Sequence, residues 1–274
     1  MKKSLLLSSI MALVLVIALS TATFAWYGSS TQASATMATL EASSGNGNLQ
    51  ISLDQSTWDS DVTYNTTTGA KYVPASLNAT VTDITADALS TKTNWVVGNE
   101  NANGKNNLRA ATAADTTVVE YSLYLKNAGS EIINVNITEH AFTVADAETA
   151  SSNLVNDCAW IMVVTRKYNT TDGGVTKVYS KDGTETETIV LNSAYSKTTL
   201  NATPSANEDL TETAKTDVTA TADANLKFAN MAPDEVITIK VYNWIDGWKA
   251  SSHASDNSQQ GKVTFDLQFD IANT

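Results

Sequence analysis

The sequence predicts an all-β chain built as an antiparallel sandwich, and three observations carry that expectation. Segments of strict two-residue alternation recur along the chain, Asp-Gly and Asn-Ala-Gly turn signals separate them, and no stretch after the first 25 residues repeats at helical spacing. Many short strands joined by turns, without helices between them, favour antiparallel pairing and two packed sheets.

The first strand expected near the start is NLQISL, from Asn48 to Leu53. In TTVVEYSLYLKN, Val119, Tyr121, Leu123 and Leu125 share one face and Glu120, Ser122 and Tyr124 the other. Asn127-Ala128-Gly129 turns the chain into EIINVNITE, where Ile133, Val135 and Ile137 alternate and His140 lies at the strand's end. The pair reads as a hairpin or as a corner between sheets. From Ala159 to Val164 the chain is continuously apolar, which predicts a central strand covered on both faces. Asp172-Gly173-Gly174 then turns it toward VTKVYS, and Asp182-Gly183 turns that toward TETETIVL, as in successive hairpins. Two strands close the chain: DEVITIKVYNWI, and GKVTFDLQFDI with Val263, Phe265, Leu267 and Phe269 on one face.

Two polar stretches interrupt this pattern, at residues 54–115 and 196–225. Both read as long insertions on the sandwich, the second as an exposed loop or partly disordered arm.

The beginning of the chain addresses it for export. Lys2 and Lys3 precede an apolar run from Leu5 to Leu19, and Thr23 and Ala25 supply small residues before a cut after Ala25. The run is shorter than the about 20 residues that a spanning helix needs. The expected mature chain starts at Trp26, after a signal peptide over residues 1–25, and has no stable transmembrane segment. An extended segment, 26–48, then leads into a domain over 49–274. The sequence stops after a strand with no sorting signal for covalent wall attachment.

Composition narrows the function classes. Acidic residues outnumber basic ones, 29 to 17, for a net charge of −12, so nucleic acid is not an expected partner. The single cysteine, Cys158, cannot form an internal disulfide, and it lies in a core-strand pattern. There are two histidines, His140 and His253, and no metalloprotease helix, nucleophile elbow or phosphate loop. No catalytic residue and no cofactor are therefore assigned. Asp54, Asp59 and Asp61 around one turn, with Asp172 and Asp182 in two others, are the candidate calcium ligands. Ordinary turn chemistry accounts for the same residues. Trp244 and Trp248 bracket a Gly turn and read either as a hydrophobic plug or as a sugar-stacking platform.

The leader together with the adjoining segment, ALSTATFAWYGSSTQASATMATLEA, resembles the start of the TasA/camelysin family of secreted matrix proteins, exported with a SipW-type signal peptidase. The similarity extends to YSLYLKNAGSEIINVNIT at 121–138 and to VYNWIDGW with KVTFDLQFDI after it. The resemblance implies a jelly-roll-like sandwich whose copies polymerise head to tail into extracellular biofilm-matrix fibres, the N-terminal segment adding a strand to the next subunit. An exposed sheet edge offers unpaired backbone groups to such a strand, and a head-to-tail contact does not close on itself. Residues 26–40 have no proline and mostly small side chains, with Trp26, Met37 and Leu40 as candidate anchors. The alternative is that this segment is the first strand of its own sheet. From a different class, the competing function is a cell-surface adhesin or carbohydrate-binding module using Trp244 and Trp248.

Overall fold

A computed structural model describes residues 35–44, 48–65, 72–100, 106–144, 152–200, 215–250 and 261–272. The strands number sixteen in these segments, and the helices are short turns: α1 (Ala86–Ser90), α2 (Ser152–Asp157) and α3 (Gly247–Ala250).

Sheet A runs β14 (Lys227–Met231), β8 (Ile133–Val144), β16 (Gly261–Ile271), β1 (Ala35–Ser44), β3 (Asp61–Asn65). Sheet B runs β10 (Thr176–Tyr179), β9 (Cys158–Thr171), β15 (Val236–Ile245), β7 (Val118–Asn127), β2 (Leu49–Ser52), and β11 (Glu185–Asn192) also pairs with β9. These two sheets enclose the main core. Leu123, Leu125, Met162, Val164, Ile239 and Val241 of sheet B meet Val135, Phe265, Leu267 and Phe269 of sheet A. Each such side chain, fully buried, stabilises the fold by roughly 1.5–3 kcal/mol.

The alternation expected for β7 and β16 is the burial pattern found, and β9 is central as predicted; β15 alternates only as far as Lys240 and is buried on both faces from Val241 to Ile245. Trp160, Met162 and Val164 of β9 face the main core, while Ala159, Ile161 and Val163 face a second one. Asn127-Ala128-Gly129 is a corner between sheets rather than a hairpin, since β7 lies in sheet B and β8 in sheet A. The buried Asn127 amide fixes the corner by donating to the carbonyls of Glu131 (2.8 Å) and Met231 (3.0 Å) and accepting from the Gly129 N–H. The strand β8 runs on past His140 to Val144, because an irregularity at Thr138 shifts the register with β16 and lets His140 and Phe142 take up the inward pattern. The His140 ring lies 5.4 Å from that of Trp160.

The two polar stretches fold differently from the insertions expected of them. Sheet C consists of β13 (Lys215–Val218), β12 (Tyr195–Thr198), β4 (Ala75–Asn78), β5 (Trp95–Glu100) and β6 (Asn106–Ala110), so the two stretches supply one sheet between them. It covers the second face of sheet B and makes a third layer. Its core joins Leu77, Trp95 and Val97 to Ile161, Val163, Tyr242 and Trp244. The few large apolar residues of the stretches are spent there, which is why their average composition reads as loop. Within the second stretch, residues 201–214 lie outside the described residues.

The second Asp-Gly signal also behaves differently from expectation. β10 and β11 do not pair with each other; both run antiparallel to β9. The connection between them presses on β9, where a Cβ at Gly183 would collide with the Tyr168 backbone nitrogen. Gly183 is therefore required for close approach. At the first turn, Asp172, Gly173 and Gly174 all take positive φ, as a turn of that composition demands.

A buried ion pair ties β9 to the turn before β15. Arg166 donates from Nε to Glu235 Oε1 (2.8 Å) and through a second nitrogen to Oε2 (3.1 Å), and also bonds the Ala229 carbonyl. Both side chains are almost wholly buried, and the guanidinium sits 3.5 Å from the Tyr179 ring centroid.

Where β15 ends, Asp246 links sheets B and C. Its Oδ2 accepts from the Ser196 N–H of β12 (2.9 Å) and its Oδ1 from the Trp248 N–H of α3 (2.9 Å). Burial pushes its pKa up to about 6, against the pull of Lys249 and these N–H groups. A carboxyl raised on folding favours the neutral form, so its contribution is lost as pH rises through 6 and fully present below 3.8. Asp115, held well below the usual carboxylate range by its hydrogen bond from Arg109, works in the opposite sense and loses its contribution only in stronger acid. Melting temperature is expected to rise as pH falls from about 7.5 to about 5, by about 1 kcal/mol of stability. An Asp246→Asn chain should show a flat profile over that range. An equal rise in the variant would assign the slope to other groups.

Candidate assembly interface

The first described strand occupies an interior place in sheet A. β1 runs parallel to β16 on one side and antiparallel to β3 on the other. Apart from the β12–β4 ladder, this is the only parallel ladder among the described strands. Its composition suits the place, because small residues and a lack of proline let the backbone bond on both edges. In the strand as described, the N-terminal segment is thus part of its own sheet from Ala35 onward.

The register with β16 is broken once. Met37 pairs with Val263 and Thr39 with Thr264, so that Ala38 is an extra residue. Leu40 then pairs with Phe265 and Ala42 with Leu267. Val263, Phe265 and Leu267 are each at most 2% exposed and belong to the main core. Both predicted anchors therefore stand at core registers of β16, although their three-residue spacing would put them on opposite faces of an unbroken strand. Alternation alone could not reveal this. The third anchor, Trp26, lies outside the described residues. On the other side Leu40 pairs with Tyr64 and Ala42 with Val62. The β1 end is tied to the next strand by Ser44, whose N–H donates to the Ser60 carbonyl (2.7 Å).

Glu41 stands at the register of Asp266, Thr36 at that of Lys262, and Ser43 at that of Asp61.

The candidate calcium ligands are dispersed among turn roles. Asp54 Oδ1 accepts from the N–H groups of Ser56 (2.8 Å) and Thr57 (2.9 Å) and from the Ser52 hydroxyl. These bonds, the Thr57 N–H foremost, hold its pKa well below the usual range. Asp59 accepts from the Ser60 N–H and Asp61 from the Ser60 hydroxyl. Asp172 and Asp182 lie on the β9–β10 and β10–β11 connections, away from that turn in the chain. Among the described residues no three acidic, His or Cys side chains are arranged to hold a metal ion.

The tryptophan pair divides. Trp244 is fully buried, with ring contacts of 5.1 Å to Trp95 and 5.4 Å to Tyr195. It plugs the space between sheets B and C and offers no face to a sugar. Trp248 is half-buried and donates from its indole nitrogen to Thr198 (2.8 Å). Cys158 is buried as expected of a core residue; its thiol donates to the Leu154 carbonyl, and burial pushes its pKa up, away from the thiolate that nucleophilic chemistry needs. His253 lies outside the described residues. No helix among the described residues is long and apolar enough to cross a membrane.

Comparison with models of protein families, with curated proteins and with solved structures finds no match to this chain.

Proposed function

We propose that this chain is a secreted, non-catalytic structural protein whose copies polymerise head to tail, each passing β1 into the place between β16 and β3 of a neighbour, to build an extracellular matrix fibre. The observation that carries this reading is the position of β1. It is the first described strand, it lies within the segment expected at the mature N-terminus, and it fills an interior gap between strands remote from each other in sequence. If β1 leaves, β16 and β3 present two facing edges, and an identical strand from another copy satisfies them with the same bonds. The resemblance of the leader to the TasA/camelysin family supports the same reading, with cleavage by a signal peptidase after Ala25. A carbohydrate-binding role through Trp244 is disfavoured by its burial.

The test locks β1 in its own sheet without removing it. Glu41 and Asp266 are register partners, so a Glu41→Cys/Asp266→Cys chain can be oxidised at high dilution to a stapled monomer. Stapled protein is expected to stay monomeric in sedimentation and microscopy, and reduction should restore fibres. Fibres from the stapled chain would overturn strand exchange. Because the full sequence carries a net charge of −12 and cleavage after Ala25 would further remove Lys2 and Lys3, fibre yield should also rise between about 0.02 M and about 0.5 M NaCl, as the screening length shortens from roughly 20 Å to roughly 4 Å.

A further inference from the structure

The slot that β1 fills has a polar group in its floor. Phe265 of β16 and Tyr64 of β3 flank the slot in one row, since both pair with the same residue of β1. Across the core, Trp160 of β9 touches Phe265 (ring centroids 6.0 Å apart) and Tyr121 of β7 touches Tyr64 (5.1 Å). β15 runs between β9 and β7, and its residue in register with Trp160 and Val119 is Asn243. Val241 and Ile245, two residues to either side, belong to the main core, so Asn243 faces the same way, toward the slot. It is 1% exposed, and neither its amide nitrogen nor its oxygen has a hydrogen-bond partner among the described residues. Burial pushes the Tyr121 phenol up and the nearby Asn243 amide draws it down, but the two do not satisfy each other. The other inward residues of β15, Ile237, Ile239, Val241 and Ile245, are all aliphatic.

We infer that Asn243 keeps the slot exchangeable: its unpaired amide disfavours the chain with β1 in place, and hydration of that amide when β1 leaves favours the open state that captures a second copy of this chain. This rests on the strand-exchange reading above and names a residue that sets its rate. A buried polar group without a partner is costly, and the cost is returned as soon as water reaches it. The effect is local to the slot. Trp244 Nε1 is also buried and unpaired, but its ring lies in the core between sheets B and C, where departure of β1 admits no water. An aliphatic residue at 243 would extend the run of Ile237 to Val241 and remove the bias toward opening.

The experiment uses the full exported chain carrying Asn243→Leu, with Asn243→Val as a smaller second variant. Amide exchange in β3 and β16, where they bond β1, should slow by at least about tenfold in both, the ratio that about 1.4 kcal/mol produces. Fibre growth should slow by a similar factor, because it draws on the open population. Trp244→Phe should change growth by less than about threefold. Amide exchange that is unchanged or faster in both apolar variants would overturn the inference, since the amide would then be satisfied in the closed chain, as by a bound water. Growth that stays fast despite slower amide exchange would overturn it as well. So would an equal slowing in Trp244→Phe, which would assign the effect to overall stability. Fibres from the stapled Glu41→Cys/Asp266→Cys chain would overturn strand exchange itself, a result read without any change at Asn243.

Discussion

A Glu235→Ala chain is expected to be less stable than the native one by about 3–5 kcal/mol. The carboxylate is fully buried and receives two bonds from Arg166 and one from the Ala232 N–H. Removing it leaves a guanidinium in the interior with the Ala229 carbonyl, the Tyr179 ring and, across the strand pair, the carboxylate of its register partner Glu187, which is itself tied to Lys177 and Tyr179. The cost arises from that stranded charge rather than from the pair's own attraction, which desolvation largely offsets. A double variant, Glu235→Leu with Arg166→Met, should therefore recover most of the loss. Denaturant midpoints of the three chains decide the matter. At about 2–4 °C per kcal/mol for a chain of this size, the single variant should melt roughly 10 °C lower. A double variant as unstable as the single one would mean that the pair is needed for packing, not for charge balance.

Trp244→Ala should cost a similar amount, about 3–5 kcal/mol, by opening a cavity between sheets B and C. The indole touches Trp95 of β5 and Tyr195 of β12, so the loss falls on the third layer. Amide exchange is expected to accelerate in β4, β5 and β12 and to stay slow in β8 and β16. Trp244→Phe should be far milder, because the indole N–H has no hydrogen-bond partner among the described residues and its removal discards an unpaired donor. Uniform acceleration of exchange in every sheet would show that the layers open as one unit.

Alternation made the two-sheet sandwich legible. Val263 to Phe269 and Val119 to Leu125 announce their faces because each strand has one wet side, and Ala159 to Val164 announces a strand with none. What alternation cannot convey is pairing between distant segments. Leu77 and Tyr195 look like isolated apolar residues in polar surroundings until the Ser76 hydroxyl meets the Ser196 carbonyl, 120 residues away, and sheet C forms. Arg166 and Glu235 were invisible for the same reason: each sits at the rim of an apolar run, where a charge ordinarily marks the surface. At the candidate interface, Met37 and Leu40 stand out in the sequence by their size. Their shared register with the core side of β16 could not, because a single inserted residue reverses parity and leaves no trace in composition.

The parallel pairing of β1 with β16 also sets an order of events. Leu40 and Phe265 are about 225 residues apart, so a chain emerging N-terminus first displays β1 long before its partner exists. Closing so long a loop costs only about 0.6 kcal/mol for each doubling of its length, but the wait is unavoidable, and contacts of this range fold slowly. During that interval β1 can form a ribbon with β3, whose residues come within about 25 positions, while sheet A remains open. If copies exchange β1 as proposed, a newly made chain is the one with an unfilled slot and an unattached strand, and growth would be a race between closure in cis and capture in trans, won by whichever β1 arrives first at a β16 just released.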